Sequence, residues 1–126
     1  MGTQVSRIID EYPVWLAFFG SLLLSLIAVM GTATVGRDAA LYIDVAQQVT
    51  EHGPNVAWAS FDWPWFSLLL AATHSILRLP LELGAYLWCG LFFAGTSALM
   101  VDCVRQRSPD ITRWACLVVL AMPAVN

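Results

Sequence analysis

The sequence predicts an all-α integral membrane protein, and two observations support that prediction. Hydrophobic residues make up 59% of the chain and charged residues 12%, whereas a soluble domain is about half apolar and about a quarter charged. Two apolar runs, residues 14–34 and 83–101, contain no charged residue, and each has about the twenty residues that a helix needs to cross a bilayer. We therefore expect transmembrane helices at both places.

The first apolar run has one alternative interpretation, a cleaved signal peptide. Such a peptide has a basic N-terminal region and an apolar stretch of only about 7 to 15 residues. The run at 14–34 is longer, and Arg7 in front of it is offset by Asp10 and Glu11. An uncleaved membrane anchor is therefore the preferred interpretation.

Charged residues predict the orientation of the chain, because Lys and Arg are more frequent in cytoplasmic loops. Residues 102–113 contain three arginines, and residues 35–82 carry more acidic than basic residues. We expect the N-terminus and the loop 102–113 in the cytoplasm and the loop 35–82 outside. With crossings at 14–34 and 83–101, the apolar run 64–79 does not cross. Because the rule is statistical, an ordinary span over 64–79 remains the alternative.

The outer loop is predicted to contain two amphipathic juxtamembrane helices, at 38–51 and 64–79. In the second helix, four polar residues and one small residue fall on one face at helical spacing. This stripe consists of Ser67, Ala71, His74, Ser75 and Arg78. Tryptophans at 58, 63 and 65 crowd the start of the helix, as aromatic residues do at membrane interfaces. We expect this helix to lie against the outer leaflet with its stripe toward water or headgroups.

Asp38 is the main candidate for a functional residue. It follows almost directly after the first apolar run and shares one face of the helix 38–51 with Tyr42, Val45 and Val49. A carboxylate at a membrane surface is costly unless it is solvated, paired or functional. Two interpretations remain open: Asp38 caps the helix and meets its dipole favourably, or it takes part in chemistry.

The sequence also argues against other kinds of partner. The net charge is -3, and there is no cluster of basic residues with interleaved aromatics, so nucleic acid is not expected. Cys89, Cys103 and Cys116 have spacings that match neither a CxxC pair nor a zinc site, and no metal site is predicted.

Residues 114–126 are too few to span a bilayer. We expect a truncated helix there, and hence the N-terminal part of a longer membrane protein, a fragment that is expected to have no activity on its own.

Two segments resemble the N-terminal part of the GT-C-fold glycosyltransferases. They are Asp38-Ala39-Ala40-Leu41-Tyr42-Ile43-Asp44-Val45-Ala46 and Phe61-Asp62-Trp63-Pro64-Trp65. The family includes protein O-mannosyltransferases and lipid A aminoarabinose transferases, which take a sugar from a polyprenyl-phosphate carrier. Its first outer loop has two juxtamembrane helices, an acidic residue that serves the reaction, and a Tyr a few residues later. Ala39 stands where a second acid often lies, and the Lys-Pro-Pro of some members is absent.

The resemblance implies a multi-pass cell-membrane enzyme that transfers a sugar from a polyprenyl-phosphate donor to a lipid, glycan or protein acceptor. Asp38 would be the general base, and Arg37, Tyr42, His74 and Arg78 would bind substrate. Arg37 would pair with the donor phosphate. The alternatives are a solvated ion pair for Arg37 and the wet side of an interfacial helix for His74 and Arg78.

A different class of function remains open, a non-catalytic multi-pass module such as a transporter piece or an assembly subunit. Charged residues inside the spans would then mark a pathway. The runs 14–34 and 83–101 contain no Asp, Glu, Lys, Arg or His, which favours the transferase. The expected partners are membrane lipid, the sugar donor and the missing C-terminal part of the protein.

Overall fold

The computed structural model describes residues 11–31 and 37–122, and every regular element in these ranges is helical. The elements are α1 (Pro13–Gly31), α2 (Arg37–His52), α3 (Asn55–Ser60), α4 (Trp65–Leu77), α5 (Leu81–Arg107), a 3₁₀ turn (Pro109–Ile111) and α6 (Thr112–Ala121). The predicted all-α class is confirmed for these ranges. The end of the predicted first span, residues 32–34, lies outside the described residues, as do residues 123–126 of the predicted last helix.

The predicted cytoplasmic loop 102–113 differs from the structure, because α5 continues through its first half to Arg107. Polar side chains on adjacent turns support this extension. Asp102 forms an ion pair with Arg105 at 3.2 Å and accepts a hydrogen bond from Gln106 Nε2 at 2.7 Å, and such pairs stabilise a helix. The helix ends where Ser108 precedes a proline and adopts a non-helical conformation. The loop is therefore a tight turn.

The short helix α3 is additional to the two helices predicted within residues 35–82. Gly53 has a φ of 91°, a conformation that glycine adopts without steric cost. Pro54 then precedes the helix, and proline readily takes the backbone angle of a helix start. Ala57 of α3 is buried. The turn thus leads into a helix that packs on α2.

Among the described residues, α5 alone is long and apolar enough to cross a membrane. Its 27 residues extend over about 40 Å at 1.5 Å per residue, beyond the roughly 30 Å of a hydrocarbon core. Helices α1 and α4 are apolar and shorter, with lengths of about 28 Å and about 20 Å. The crossing predicted at α1 stays a prediction.

The chain divides into two compact units. Unit 1 comprises Met1–Gly31 and Cys89–Asn126, so its described part is α1, the C-terminal part of α5, the 3₁₀ turn and α6. Unit 2 is Thr32–Trp88 and contains α2, α3, α4 and the start of α5.

Small side chains line the helix contacts of unit 1. The buried residues of α1 and α5 there are Pro13, Ala17, Ser21, Gly90, Ala94, Ser97 and Val101. A Cβ at Gly90 would lie 3.6 Å from Leu22, and a Cβ at Gly20 only 2.5 Å from Leu120 of α6. Such residues let helix backbones approach closely. Because Gly90 meets the later part of α1 while Val101 packs with Ala17, α1 and α5 run antiparallel.

Large apolar side chains lie on the outside of unit 1. Trp15, Phe19, Leu23 and Ile27 recur every four residues along one face of α1, and each is more than half exposed. On α5 and α6 the exposed large apolar residues include Phe92, Leu99, Trp114, Leu117 and Val118. In soluble proteins, large apolar residues are among those most often buried. In unit 1 many large apolar residues are exposed instead, and small and hydroxyl-bearing residues are among the buried ones.

In unit 2, helices α2 and α4 pack side by side and run parallel. The Ser67 hydroxyl donates a hydrogen bond to the Tyr42 carbonyl oxygen at 3.1 Å, and further along both helices Ala46 packs with Leu70 and Ala71. The core also includes Ala85 at the start of α5.

The predicted exposure of the α4 stripe is therefore wrong for two of its members. Ser67 and Ala71 are buried against α2, because a small side chain permits close packing and the Ser67 hydroxyl has a backbone partner. The exposed side of α4 is apolar instead. Ile76 is 78% exposed, and Trp65 and Leu77 are each 60% exposed.

Leu70 is the largest fully buried side chain in the structure, and we expect Leu70→Ala to be strongly destabilising. Removing a buried Leu side chain costs about 2 to 5 kcal/mol, depending on the cavity that remains. Leu77→Ala on the same helix is the matched control, since Leu77 is exposed and its loss should cost about 0.5 kcal/mol or less. Denaturation of both variants in detergent measures the difference. Equal losses would contradict the packing described for unit 2.

Candidate functional site

Asp38 lies at the start of α2, with its side chain exposed. Because the helix begins at Arg37, Asp38 occupies the first turn rather than the cap position before it. A carboxylate in the first turn still interacts favourably with the helix dipole. The side chain of Arg37 lies outside what the structure describes.

The face that Asp38 shares with later residues of α2 becomes more buried from Asp38 to Val45. Val45 is buried, Tyr42 is half-buried and Asp38 is exposed. Within the described part of the chain, the Asp38 carboxylate forms no hydrogen bond or ion pair. This carboxylate is therefore accessible to a ligand or to an acceptor proton.

The ring of Tyr42, on α2, packs against two phenylalanines, one just before α4 and one at the start of α4. Its ring lies 5.3 Å from the ring of Phe61 and 5.5 Å from that of Phe66, measured between centroids. Its backbone carbonyl accepts the hydrogen bond from Ser67. Tyr42, predicted to bind substrate, thus has a packing role in this structure.

His74 and Arg78 form the C-terminal end of α4. His74 Nδ1 lies 2.7 Å from the Leu79 carbonyl oxygen, and because a carbonyl only accepts, Nδ1 carries the proton in this contact. Arg78 is left-handed, with a φ of 55°, and its backbone N–H donates to the His74 carbonyl at 2.8 Å. This arrangement satisfies a carbonyl at the helix end. Both residues therefore contribute to ending the helix.

The predicted site residues do not converge. In the parallel pair of helices, the later residues of α2 lie beside His74, whereas Asp38 is in the first turn. Twelve residues separate Asp38 from Thr50, which corresponds to about 18 Å along a helix. Asp38 and His74 thus lie near opposite ends of the pair, too far apart to act on one reacting group.

His74 instead lines an open polar groove in unit 2, with a volume of about 550 Å³. Its lining residues are Ile43, Gln47, Thr50, Glu51, His74, Pro80, Leu81 and Glu82. The carboxylates, amide and hydroxyl can donate or accept hydrogen bonds with a polar ligand. The sequence gives no signal for this group of residues, since Glu51 lies in the last turn of α2 and Glu82 in the first turn of α5, and only the fold brings them together.

No cluster of His, Cys, Asp and Glu suited to a metal ion occurs among residues 11–31 and 37–122. Comparison of the chain with models of protein families, with curated proteins and with solved structures gives no match. Two places in unit 2 are accessible to a ligand. They are the exposed carboxylate of Asp38 and the polar groove beside His74.

Proposed function

We propose that the chain is a GT-C-type membrane glycosyltransferase that takes a sugar from a polyprenyl-phosphate donor at the outer face of the cell membrane. The observation that carries the proposal is the carboxylate of Asp38 in the first turn of α2, which is exposed and has no partner among the described residues. In the sequence, Asp38 follows closely after the apolar helix α1, and it stands at the position of the acidic residue in the first outer loop of the GT-C-fold family.

The distribution of side chains supports the membrane part of the proposal. Without a hydrophobic driving force between helices, membrane helices associate through small and hydroxyl-bearing residues. Ala17, Ser21 and Ala94 are such residues in unit 1. Lipid chains would cover the exposed apolar stripe of α1, which begins at Trp15. In unit 2, the exposed apolar side of α4 fits a helix lying against a leaflet.

The antiparallel packing of α1 and α5 supports the proposed topology. Pro13 at the start of α1 lines the same groove as Arg105 and Arg113. The N-terminal end of α1 and the arginine-rich turn therefore share one end of unit 1, which the positive-inside rule assigns to the cytoplasm. Helix α4, at about 20 Å, is too short to cross the roughly 30 Å hydrocarbon core.

The reaction requires one proton acceptor beside a donor that already has a good leaving group. The acceptor oxygen or nitrogen attacks the anomeric carbon of the sugar, and the bond from that carbon to the phosphate oxygen breaks. Polyprenyl phosphate leaves with the electron pair, and Asp38 takes the proton of the acceptor. An exposed carboxylate without a competing partner in the described ranges suits this role.

Transfer by the full-length protein in proteoliposomes tests the proposal. We expect release of polyprenyl phosphate from polyprenyl-phosphate sugars when acceptor lipids from the cell envelope are present. The matched control is the same sugar on a soluble nucleotide, which should not be consumed. Donor that stays intact with a range of sugars and acceptors, in vesicles that contain the folded protein, would contradict the proposal.

A further inference from the structure

Tyr42 joins α2 to the two segments that follow it in unit 2. Its ring contacts those of Phe61, which follows the last residue of α3, and Phe66, in the first turn of α4. The pair with Phe66 is edge-to-face, with an angle of 88° between the rings, an arrangement that stabilises aromatic contacts. The Tyr42 carbonyl oxygen also accepts the hydrogen bond of the buried Ser67 hydroxyl at 3.1 Å. The second turn of α2 is therefore held by both segments.

The first turn of α2 has no comparable packing of its own. Before Tyr42, the described side chains of the helix are exposed or small, and they are those of Asp38, Ala39, Ala40 and Leu41. Among the described side chains of α2, the buried ones begin only at Val45. Helix ends open more easily than helix interiors. Tyr42 is therefore the first large described side chain of α2 that packs against a neighbouring segment.

Asp38 lies one helical turn before Tyr42 on the same face of α2. In an α-helix, the N–H of a residue bonds to the carbonyl oxygen four residues earlier, so the turn that carries Asp38 is connected directly to Tyr42. A general base must lie within about 3 Å of the proton that it takes. A displacement of about 1 Å can slow a reaction by about 100-fold. The contacts of Tyr42 can therefore control the reactivity of Asp38.

The ring of Tyr42, and not its hydroxyl, makes these contacts. The side chain is half-buried, and its hydroxyl forms no hydrogen bond within the part of the chain that the structure describes. A residue that binds substrate through a hydroxyl would lose affinity when that group is removed. A residue that acts through ring packing would not.

We propose that Tyr42 is a positioning residue, whose ring, packed against Phe61 and Phe66, keeps the Asp38 carboxylate in place for proton transfer. The inference rests on the proposed transferase function. It gives Tyr42 a role that differs from the substrate binding implied by the resemblance, because Tyr42 acts on the reaction through Asp38.

Steady-state sugar transfer by the full-length protein in proteoliposomes, normalised to folded protein, tests the proposal. We expect Tyr42→Ala to lower kcat by about tenfold or more and to leave KM for the donor within about twofold, since the base is displaced but the donor loses no contact. Tyr42→Phe keeps the ring, so its kcat and KM should both stay within about twofold of the original values. A large rise in KM for Tyr42→Phe would overturn the proposal in favour of substrate binding.

Two further variants separate ring packing from a general loss of structure. Phe61→Ala removes one ring partner of Tyr42 without changing α2, and it should lower kcat while KM stays nearly constant, even if Tyr42→Ala does not fold. Leu41→Ala is the matched control, since Leu41 is adjacent to Tyr42 and is 50% exposed. Its kcat should stay within about twofold. Equal losses in Phe61→Ala and Leu41→Ala would contradict the proposed role of the ring.

The double variant Asp38→Asn/Tyr42→Ala shows whether Tyr42 acts through Asp38. Without a base to position, loss of the ring should have no further effect, so the double variant should be within about twofold of Asp38→Asn alone. Losses that multiply would mean that Tyr42 acts independently of Asp38, and would overturn the proposal.

Hydrogen exchange identifies the source of any failure, because it does not depend on transfer. The peptide that covers the first two turns of α2 should exchange faster in Tyr42→Ala and unchanged in Leu41→Ala. Unchanged exchange in Tyr42→Ala would overturn the positioning role alone. Absence of transfer by the original protein would overturn the proposed function, and the catalytic part of this inference with it.

Discussion

Replacing Asp38 with Asn is expected to slow sugar transfer by about 100-fold to 10,000-fold, the contribution of a general base. Asn has nearly the same size but cannot take a proton from the acceptor. The Asp38 side chain is exposed and has no partner among the described residues. The cost in stability should thus be limited to the helix-dipole interaction, about 0.3 to 1 kcal/mol. Initial rates in proteoliposomes, normalised to folded protein, measure the effect.

Asp44→Asn provides the matched control on the same helix. Asp44 is exposed and accepts a hydrogen bond from Gln48 Nε2 at 2.9 Å, a role that the amide oxygen of Asn can also perform. Its activity should stay within about threefold of the original protein, as expected for a surface change of small energy. Near-normal turnover in Asp38→Asn, or equal losses in both variants, would leave Asp38 as a stabilising residue of the helix start.

The helices themselves were predictable from the sequence because hydrophobic periodicity and turn residues are local signals. The structure has a helix over most of each predicted range, including α2 and α4. The length of α5 was less predictable. Arg105 and Arg107 suggest a loop by their charge, yet side-chain pairing with Asp102 keeps this segment helical.

The side of α4 that faces α2 was not predictable from its own pattern. Ser67 is buried because its hydroxyl reaches a backbone carbonyl 25 residues earlier in the chain, at Tyr42. Periodicity identifies which residues share a face but not what that face packs against. In a helix near lipid, polar residues can face inward and apolar residues outward. The expectation that the whole polar stripe is exposed to water failed because Ser67 and Ala71 pack against α2.

The candidate site was predictable only at single positions. The resemblance identifies Asp38 and Tyr42 through their spacing, but the distance between Asp38 and His74 depends on the parallel packing of α2 and α4. The polar groove depends on the same packing, since Glu51 and Glu82 come from different helices. Spacing along the chain contains no information on either arrangement.

The second large effect is an all-or-none difference in chemical labelling, and it tests the proposed membrane topology. In a chain with Cys89, Cys103 and Cys116 replaced by Ala, a single cysteine is introduced by His52→Cys or by Arg107→Cys. Both positions are exposed in the structure, so a thiol there is open to a reagent that does not cross membranes. A control with the three Ala substitutions alone should not be labelled.

Labelling of these two variants with a membrane-impermeant maleimide is the most direct test of the central claim, that the loop 35–82 lies outside between two crossings. We predict that the cysteine at position 52 reacts in intact cells, whereas the one at position 107 reacts only after permeabilisation. Reaction at position 107 in intact cells, or at position 52 only after permeabilisation, would contradict the topology and the outer-face transferase that depends on it.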